Sequence, residues 1–122
     1  MIALPSKDHM DAKLSNTLQM IVGRLVSGDF DSLERLTNGT RLSRTEMQAA
    51  VKDYPGTLVM PPETSFEDID VIEIEGRSPR QWSACFELWT AEEGRSDLSL
   101  ELTLTDNFED LFKVEIDNIH VR

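Results

Sequence analysis

Along the first half of the chain, apolar residues recur at steps of three and four positions, which is the spacing of one face of an α-helix. The longest such stripe comprises Leu14, Leu18, Ile21, Val22 and Leu25. It stops before Gly28, a residue type suited to the left-handed backbone that ends many helices. The pattern therefore predicts a long first helix that ends near residue 28.

Two shorter helices are predicted between this glycine and residue 56. Asp29-Phe30-Asp31-Ser32 offers capping side chains for the first of them, and Asn38-Gly39 ends it. The second begins at Ser43, because Glu46 follows at the spacing of a capping box, in which each of the two side chains binds a free backbone N–H. Its apolar side ends at Tyr54, just before Pro55-Gly56.

From Thr57 onward the apolar period changes to two, which is the period of a strand with one buried face. A short strand near Leu58 is followed by four inward-facing sets: Ile72 and Ile74; Trp82, Ala84, Phe86 and Leu88; Leu98, Leu100, Leu102 and Leu104; and Phe112, Val114 and Ile116. Ile119 and Val121 then fall on the opposite parity. This change predicts a β-bulge near Asp117-Asn118 that re-aims the end of the last strand.

Strands joined by short turns form an antiparallel sheet, and the helices are the available cover for its apolar face. We therefore predict a single α+β domain over residues 1–122. About three N-terminal helices pack on one face of a curved antiparallel sheet of four to five strands. No apolar run approaches the roughly 20 residues that span a bilayer, and a lone cysteine, Cys85, favours a cytoplasmic protein.

The net charge of −11 is carried entirely by the second half of the chain. Residues 61–122 contain sixteen acidic residues against five basic ones, whereas residues 1–60 contain seven of each. A field of this sign repels nucleic acid and anionic membranes and attracts a basic partner. Neither nucleic acid nor a membrane is therefore an expected partner.

By strand parity, the outward positions of the sheet carry mostly carboxylates and one large aromatic ring. The predicted outward residues include Glu73, Glu75, Glu87, Trp89, Glu101, Glu115 and Asp117. Large exposed aromatic side chains are enriched at binding sites. We therefore interpret this acidic face as a partner-binding surface, with Trp89, Glu87 and Glu101 at its centre.

The segment TAEEGRSD, residues 90–97, predicts the hairpin turn before the leucine strand. Gly94 supplies a permissive backbone for the turn. Arg95 offsets part of the repulsion among Glu92, Glu93 and Asp97, an exposed arrangement that contributes little stability. We interpret these three carboxylates as an acidic rim of the partner-binding surface.

The sequence offers no pattern for catalysis or for a metal, and we predict neither a catalytic residue nor a cofactor. The inward strand positions are not titratable, so a general base is missing there. His9 and His120 lie near opposite termini, and Cys85 has no neighbouring base or metal-ligand partner. The acidic hairpin lacks the alternating ligand order of a calcium loop.

The break GDFDSLERL, residues 28–36, and the order of helices before strands resemble the nuclear transport factor 2-like (SnoaL-like, cystatin-like cone) superfamily. Usual members have a strand between the second and third helices, and Thr40-Arg41-Leu42 leaves little room for one. The resemblance implies a cone-shaped α+β fold. It implies less about function, because the superfamily hosts enzymes, ligand binders, dimeric adaptors and bacterial toxin-immunity proteins.

These observations favour a non-enzymatic binding protein whose acidic face engages a basic protein partner. The partner we expect is a nuclease toxin domain, and the protein is then a toxin-neutralising immunity protein that mimics the phosphate substrate. The alternative is a small-molecule-binding or catalytic cone-fold domain that uses a cavity between helices and sheet. A homodimer is a further alternative, although carboxylates would repel each other across paired sheet faces.

Overall fold

The computed structural model describes residues 7–67 and 69–122, and the described part has the α+β architecture that the sequence predicts. The elements in chain order are α1 (Lys7–Ser27), α2 (Phe30–Thr37), α3 (Arg44–Asp53), β1 (Leu58–Val59), a 3₁₀ helix (Glu63–Glu67), β2 (Asp70–Ile74), β3 (Gln81–Thr90), β4 (Gly94–Thr105) and β5 (Lys113–Val121).

The two short helices begin where their capping residues predict. The Asp29 side chain accepts a hydrogen bond from the Ser32 N–H at the start of α2. At α3 both halves of the capping box are present: Ser43 Oγ accepts from the Glu46 N–H at 3.2 Å, and Glu46 Oε1 accepts from the Ser43 N–H at 3.1 Å. Turns, and no strand, connect α2 to α3 in the described chain.

The five described strands form one antiparallel sheet in which β3 and β4 are central. β1 and β2 both pair with the same edge of β3, and β5 pairs with the far edge of β4. Glu101 pairs with Asn118 and Leu102 with Ile116, which leaves Asp117 as an extra residue in β5. The predicted bulge is thereby confirmed, and it turns Ile119 inward to a position that is only 4% exposed.

The core lies between the helices and one face of the sheet. Leu18, Ile21, Val22, Leu33 and Met47 of the helices are fully buried with the leucines of β4. Aromatic rings fill the remaining space, because Phe66 stacks on Phe86 with ring centres 5.1 Å apart and Trp82 packs against Phe112 at 5.4 Å. The centre of the helix–sheet interface is therefore occupied by side chains.

The prediction that Ile72 and Ile74 of β2 face the core is wrong. Val71 pairs with Ala84 and Glu73 with Trp82, so Val71 and Glu73 share the helix-facing side. Ile72 consequently points away from the core and is 68% exposed. Both parities of this short segment are apolar, and Val71 continues the set that packs against the core.

Glu73 is tolerated on the helix-facing side because it lies at the end of the sheet and is paired. Both Glu73 carboxylate oxygens accept hydrogen bonds from Arg80, at 2.6 and 2.9 Å. The Arg80 guanidinium also lies over the Trp82 ring, 5.0 Å from its centre. Glu73 is thus part of a structural contact and does not belong to the outward face.

Truncation of Leu100 to alanine is expected to destabilise the fold by about 2–5 kcal/mol, because this side chain is completely buried in a central strand. Urea unfolding followed by circular dichroism measures the change. Ile72→Ala is the matched control, since the exposed Ile72 side chain loses little burial and is expected to cost less than about 1 kcal/mol. Equal losses for the two variants would contradict this placement of the core.

Candidate functional site

The sheet surface that faces away from the helices, here called the outer face, is open to solvent. It carries side chains from all the longer strands: Ile72, Ile74, Cys85, Glu87, Trp89, Arg95, Ser99, Glu101, Thr103, Glu115, Asn118 and His120. The side chains of Glu87 and Glu101 are each 41% exposed. Five of the predicted site residues lie here, counting Asp117 of the bulge: Glu87, Trp89, Glu101, Glu115 and Asp117.

The carboxylates at the centre of the outer face have partners of their own. Glu87 Oε2 lies 3.6 Å from Arg95 Nε across the β3–β4 pair. Glu101 Oε1 lies 3.2 Å from His120 Nε2 across the β4–β5 pair. The outer face is therefore mixed in charge, whereas the sequence predicted a broad acidic face.

An arginine from the α2–α3 connection reaches the two acids of β5. Arg41 Nε lies 3.1 Å from Glu115 Oε2 and 3.0 Å from Asp117 Oδ1. The hydrogen bond to Glu115 and the charge of Asp117 raise the pKa of Arg41 above its usual value. Thr103 Oγ1 also donates to Asp117 Oδ2 at 2.7 Å. One arginine thus offsets part of the negative charge of the two acids within the fold.

The hairpin carboxylates hold the β3–β4 turn against the segment after α3. Both Glu92 carboxylate oxygens accept from the Thr57 N–H, at 2.9 and 3.1 Å, and the Thr57 carbonyl accepts from the Ala91 N–H at 2.9 Å. Glu93 Oε1 accepts from the Tyr54 hydroxyl at 2.6 Å. Glu92 and Glu93 are exposed, yet each binds the protein itself.

Tyr54 is the centre of this anchor. Its hydroxyl donates to Glu93 and accepts from the Asp97 N–H at 3.4 Å, so one side chain contacts both ends of the turn. The hydrogen bond to Glu93 and, next, burial raise the pKa of Tyr54 above its usual value. The Asp97 carboxylate itself is on an exposed residue of β4.

Glu73 and Glu75 do not join the outer face. The hydrogen bond from Arg80 holds the pKa of Glu73 below its usual value, on the helix-facing side of the sheet. Glu75 lies in the turn between β2 and β3, where it is exposed. The prediction that they are outward positions of the sheet is therefore wrong, because the register of β2 with β3 sets the parity and the strand ends at Ile74.

Acidic residues outnumber basic ones in the connections around the sheet, which carry about half of the excess negative charge. These acids are Glu63 and Glu67 in the 3₁₀ helix, Glu75 after β2, Glu92 and Glu93 at the hairpin, and Asp106, Glu109 and Asp110 between β4 and β5. The outer face thus has a mixed, partly apolar centre and an acidic surround.

Trp89 lies at the hairpin end of the outer face, beside Glu87 on its own strand and paired with Arg95 of β4. Its ring packs over Gly94: a Cβ atom at Gly94 would lie 3.6 Å from Trp89 Cζ3. Gly94 has a φ of +74°, which side chains rarely allow, so the hairpin favours glycine there for its backbone. The Trp89 ring is therefore in contact with the backbone of the hairpin at Gly94.

A cavity of about 560 Å³ opens on the outer face beside Trp89. Its lining residues come from three places: Cys85, Phe86, Glu87 and Trp89 of β3 with Arg95 of β4; Thr64, Ser65, Ile69 and Asp70 before and within β2; and Arg122. No pattern in the sequence indicated that these residues lie together. The parity of Cys85 with Glu87 and Trp89 is the one signal that placed it on this side.

The described residues contain neither a cluster of metal-ligating side chains nor a membrane-spanning helix. Among the side chains of residues 10–67 and 69–122, no group of three or more His, Cys, Asp or Glu could hold a metal ion. None of the described helices is both long and apolar enough to cross a membrane. At the margin between α1 and the sheet, a second cavity of about 320 Å³ is lined by apolar residues together with Asp11 and Glu73.

The chain belongs to the family described as Domain of unknown function (DUF7668), whose family model matches residues 22–122. Comparison with curated proteins found no match, and comparison with solved structures found none either. The matched region begins within α1 and includes the whole sheet. The outer face and its hairpin are therefore parts of the family domain.

Tyr54 is expected to titrate above its ordinary pKa of about 10 in the folded protein. It is the only tyrosine of the chain, so the tyrosinate absorbance near 295 nm reports on it directly. The raised pKa means that folding favours the protonated hydroxyl. The contribution to stability is complete below pH 10 and is lost as the pH rises from 10 through the folded-state pKa.

Glu93→Gln is expected to lower the pKa of Tyr54, because the carboxylate acceptor accounts for the largest part of the shift. Tyr54→Phe is expected to lower the urea midpoint at pH 8 and to remove this component of the alkaline destabilisation. An unchanged tyrosinate titration in Glu93→Gln would show that the hairpin anchor does not form in solution.

Proposed function

We propose that this protein is a non-enzymatic binding protein whose outer face engages a basic protein partner, and that it acts in the cytoplasm as a toxin-neutralising immunity protein. The observation that carries the proposal is the position of Trp89. Its indole lies on the uncovered face of the sheet, between Glu87 and Arg95, and is not packed into the core.

The arrangement of residue types supports a protein interface. Interface centres are enriched in aromatic residues and arginine and depleted of other charges, and a polar rim surrounds them. Trp89 and Arg95, which pair across β3 and β4, supply an aromatic ring and a guanidinium side by side on one sheet face. The acidic connections around the sheet supply the rim.

The distribution of charge supports a basic partner. Residues 61–122 carry the whole net charge of −11, and the connections between the strands carry about half of it. Such a field accelerates the encounter with a positively charged protein without requiring each carboxylate to make a contact. A nuclease toxin domain fits this role, because its substrate site is built to bind a polyanion.

The order of elements supports the kinship with the nuclear transport factor 2-like superfamily that residues 28–36 suggest. Three N-terminal helices precede an open antiparallel sheet. The turn between α2 and α3, where usual members have a strand, is a departure from that pattern. Immunity proteins of that superfamily set the precedent for the proposed role.

A small-molecule-binding or catalytic domain is the alternative function, and the cavity of about 320 Å³ beside α1 favours it. The polar side chains in its lining are Asp11 and Glu73. Glu73 is engaged with Arg80, and the centre of the helix–sheet interface is filled. This cavity therefore offers few groups for recognition of a substrate.

The proposal is tested by binding and inhibition assays with purified basic nuclease toxin domains. Trp89→Ala is expected to weaken binding by at least about 30-fold, the effect of a hot-spot residue. Glu87→Lys combined with Glu101→Lys is expected to abolish inhibition of the nuclease. Absence of binding to every domain, or full activity of both variants, would refute the proposal.

Glu75→Lys combined with Glu109→Lys is the matched control. It changes the net charge by the same amount at two exposed positions in connections outside the outer face. We expect it to slow association at low salt and to leave the dissociation rate unchanged. Equal effects of the two double variants would reduce the role of the outer face to long-range attraction.

Light scattering of the free protein at low and high salt distinguishes a homodimer.

A further inference from the structure

The cavity of about 560 Å³ on the outer face has the size of a small-molecule site, which is commonly 300–1,000 Å³. It borders the core at Phe86 and Ile69, and most of its lining consists of polar residues from distant parts of the chain. Two of the five basic residues of residues 61–122, Arg95 and Arg122, converge on it. This concentration of guanidinium groups stands out in an acidic half-chain.

The charges that line the cavity fall into two classes. Arg95 is paired with Glu87 at 3.6 Å and is largely compensated. Arg122 donates a hydrogen bond to Cys85 Sγ. Neither Arg122 nor Asp70 has an oppositely charged side chain within 4.0 Å among residues 10–67 and 69–122. One cation and one anion are therefore left to meet groups from outside the chain.

The position of Arg122 is held by the sheet. Its backbone N–H donates to the Asp97 carbonyl at 3.1 Å, beside the bulged part of β4. Cys85 Sγ, its side-chain contact, lies 3.0 Å from the buried Ser99 Oγ. The guanidinium is thus directed into the cavity by contacts with β3 and β4, a degree of pre-organisation that favours ligand binding.

The remaining lining is suited to a flat apolar group and to hydrogen bonds. Trp89 offers an indole ring, Ile69 an aliphatic side chain, and Thr64 and Ser65 two hydroxyl groups. Aromatic rings pair favourably with other rings in offset or tilted geometries. A ligand with one aromatic group and two opposite charges would use every part of this lining.

We propose that the cavity binds a small zwitterionic molecule of the class of aromatic α-amino acids. The ligand carboxylate pairs with Arg122, the ligand ammonium pairs with Asp70, and the aromatic group packs on Trp89. This inference does not depend on the protein partner, because it rests on the cavity lining alone. Occupancy would also cover Trp89, so the ligand and the proposed protein partner would compete.

Isothermal titration calorimetry of the full chain tests the ligand class with four probes. L-Phenylalanine is expected to bind with 1:1 stoichiometry. 3-Phenylpropionate and phenethylamine, which each retain one of the two charges, are expected to bind at least about tenfold more weakly. Inorganic phosphate is expected not to bind. Equal affinity for 3-phenylpropionate, binding of phosphate, or no binding of L-phenylalanine would each overturn the proposal.

Two charge-neutralising variants assign the contacts. Arg122→Gln and Asp70→Asn are each expected to weaken L-phenylalanine binding about tenfold or more. Arg122→Gln should leave phenethylamine binding unchanged, and Asp70→Asn should leave 3-phenylpropionate binding unchanged. The controls Arg77→Gln and Asp53→Asn make the same changes at exposed positions outside the cavity. Equal losses in the controls would overturn the assignment.

Cys85 provides an independent reading of occupancy, because it is the only cysteine of the chain and lines the cavity. L-Phenylalanine is expected to slow alkylation of Cys85 by iodoacetamide, with half-protection near the calorimetric dissociation constant. Circular dichroism confirms that each variant is folded. If L-phenylalanine no longer protects Cys85 in Arg122→Gln while nuclease inhibition is intact, the ligand site is distinct from the proposed protein-binding function. If L-phenylalanine protects Cys85 equally well in Arg122→Gln, the proposed ligand site is wrong.

Discussion

Burial of the four alternating leucines of β4 is the interaction on which the remaining structure depends. Leu98, Leu100, Leu102 and Leu104 are each at most 1% exposed, and the helices cover them. Because side chains alternate along a strand, this burial also decides which residues of β3 and β5 face outward. The position of Trp89 on the open side follows from the same constraint, through the pairing of β3 with β4.

The irregular positions of the sheet give the outer face its shape. Asp117 is an extra residue in β5, and the register between β3 and β4 shifts between Glu87 and Trp89. Bulges bend a strand and increase its twist, and they re-aim the side chains beside them. The second shift lies beside Trp89 and the hairpin that Tyr54 anchors. Trp89, the large aromatic residue of the outer face, therefore lies where the sheet departs from regular pairing.

The sequence predicted the strands well where apolar residues occupied only every second position. The leucines of β4 and the Ser43–Glu46 capping box predicted their elements well, and the parity break at Ile119 located the bulge. The prediction failed at β2, because Val71 and Ile72 are adjacent apolar residues and only pairing with β3 chooses between them. The local pattern of apolar residues does not determine which of the two faces the core, because that depends on tertiary contacts.

The composition of the outer face required contacts between residues far apart in the chain. Arg41 is 74 positions from Glu115, and Tyr54 is 39 positions from Glu93, so spacing gave no sign of either contact. Because of such pairs, several carboxylates of the acidic sequence stabilise the fold, and fewer are available to contact a partner. Recognition then has to rest on the groups without internal partners, around Trp89 and the nearby cavity, while the acidic connections act on the rate of encounter.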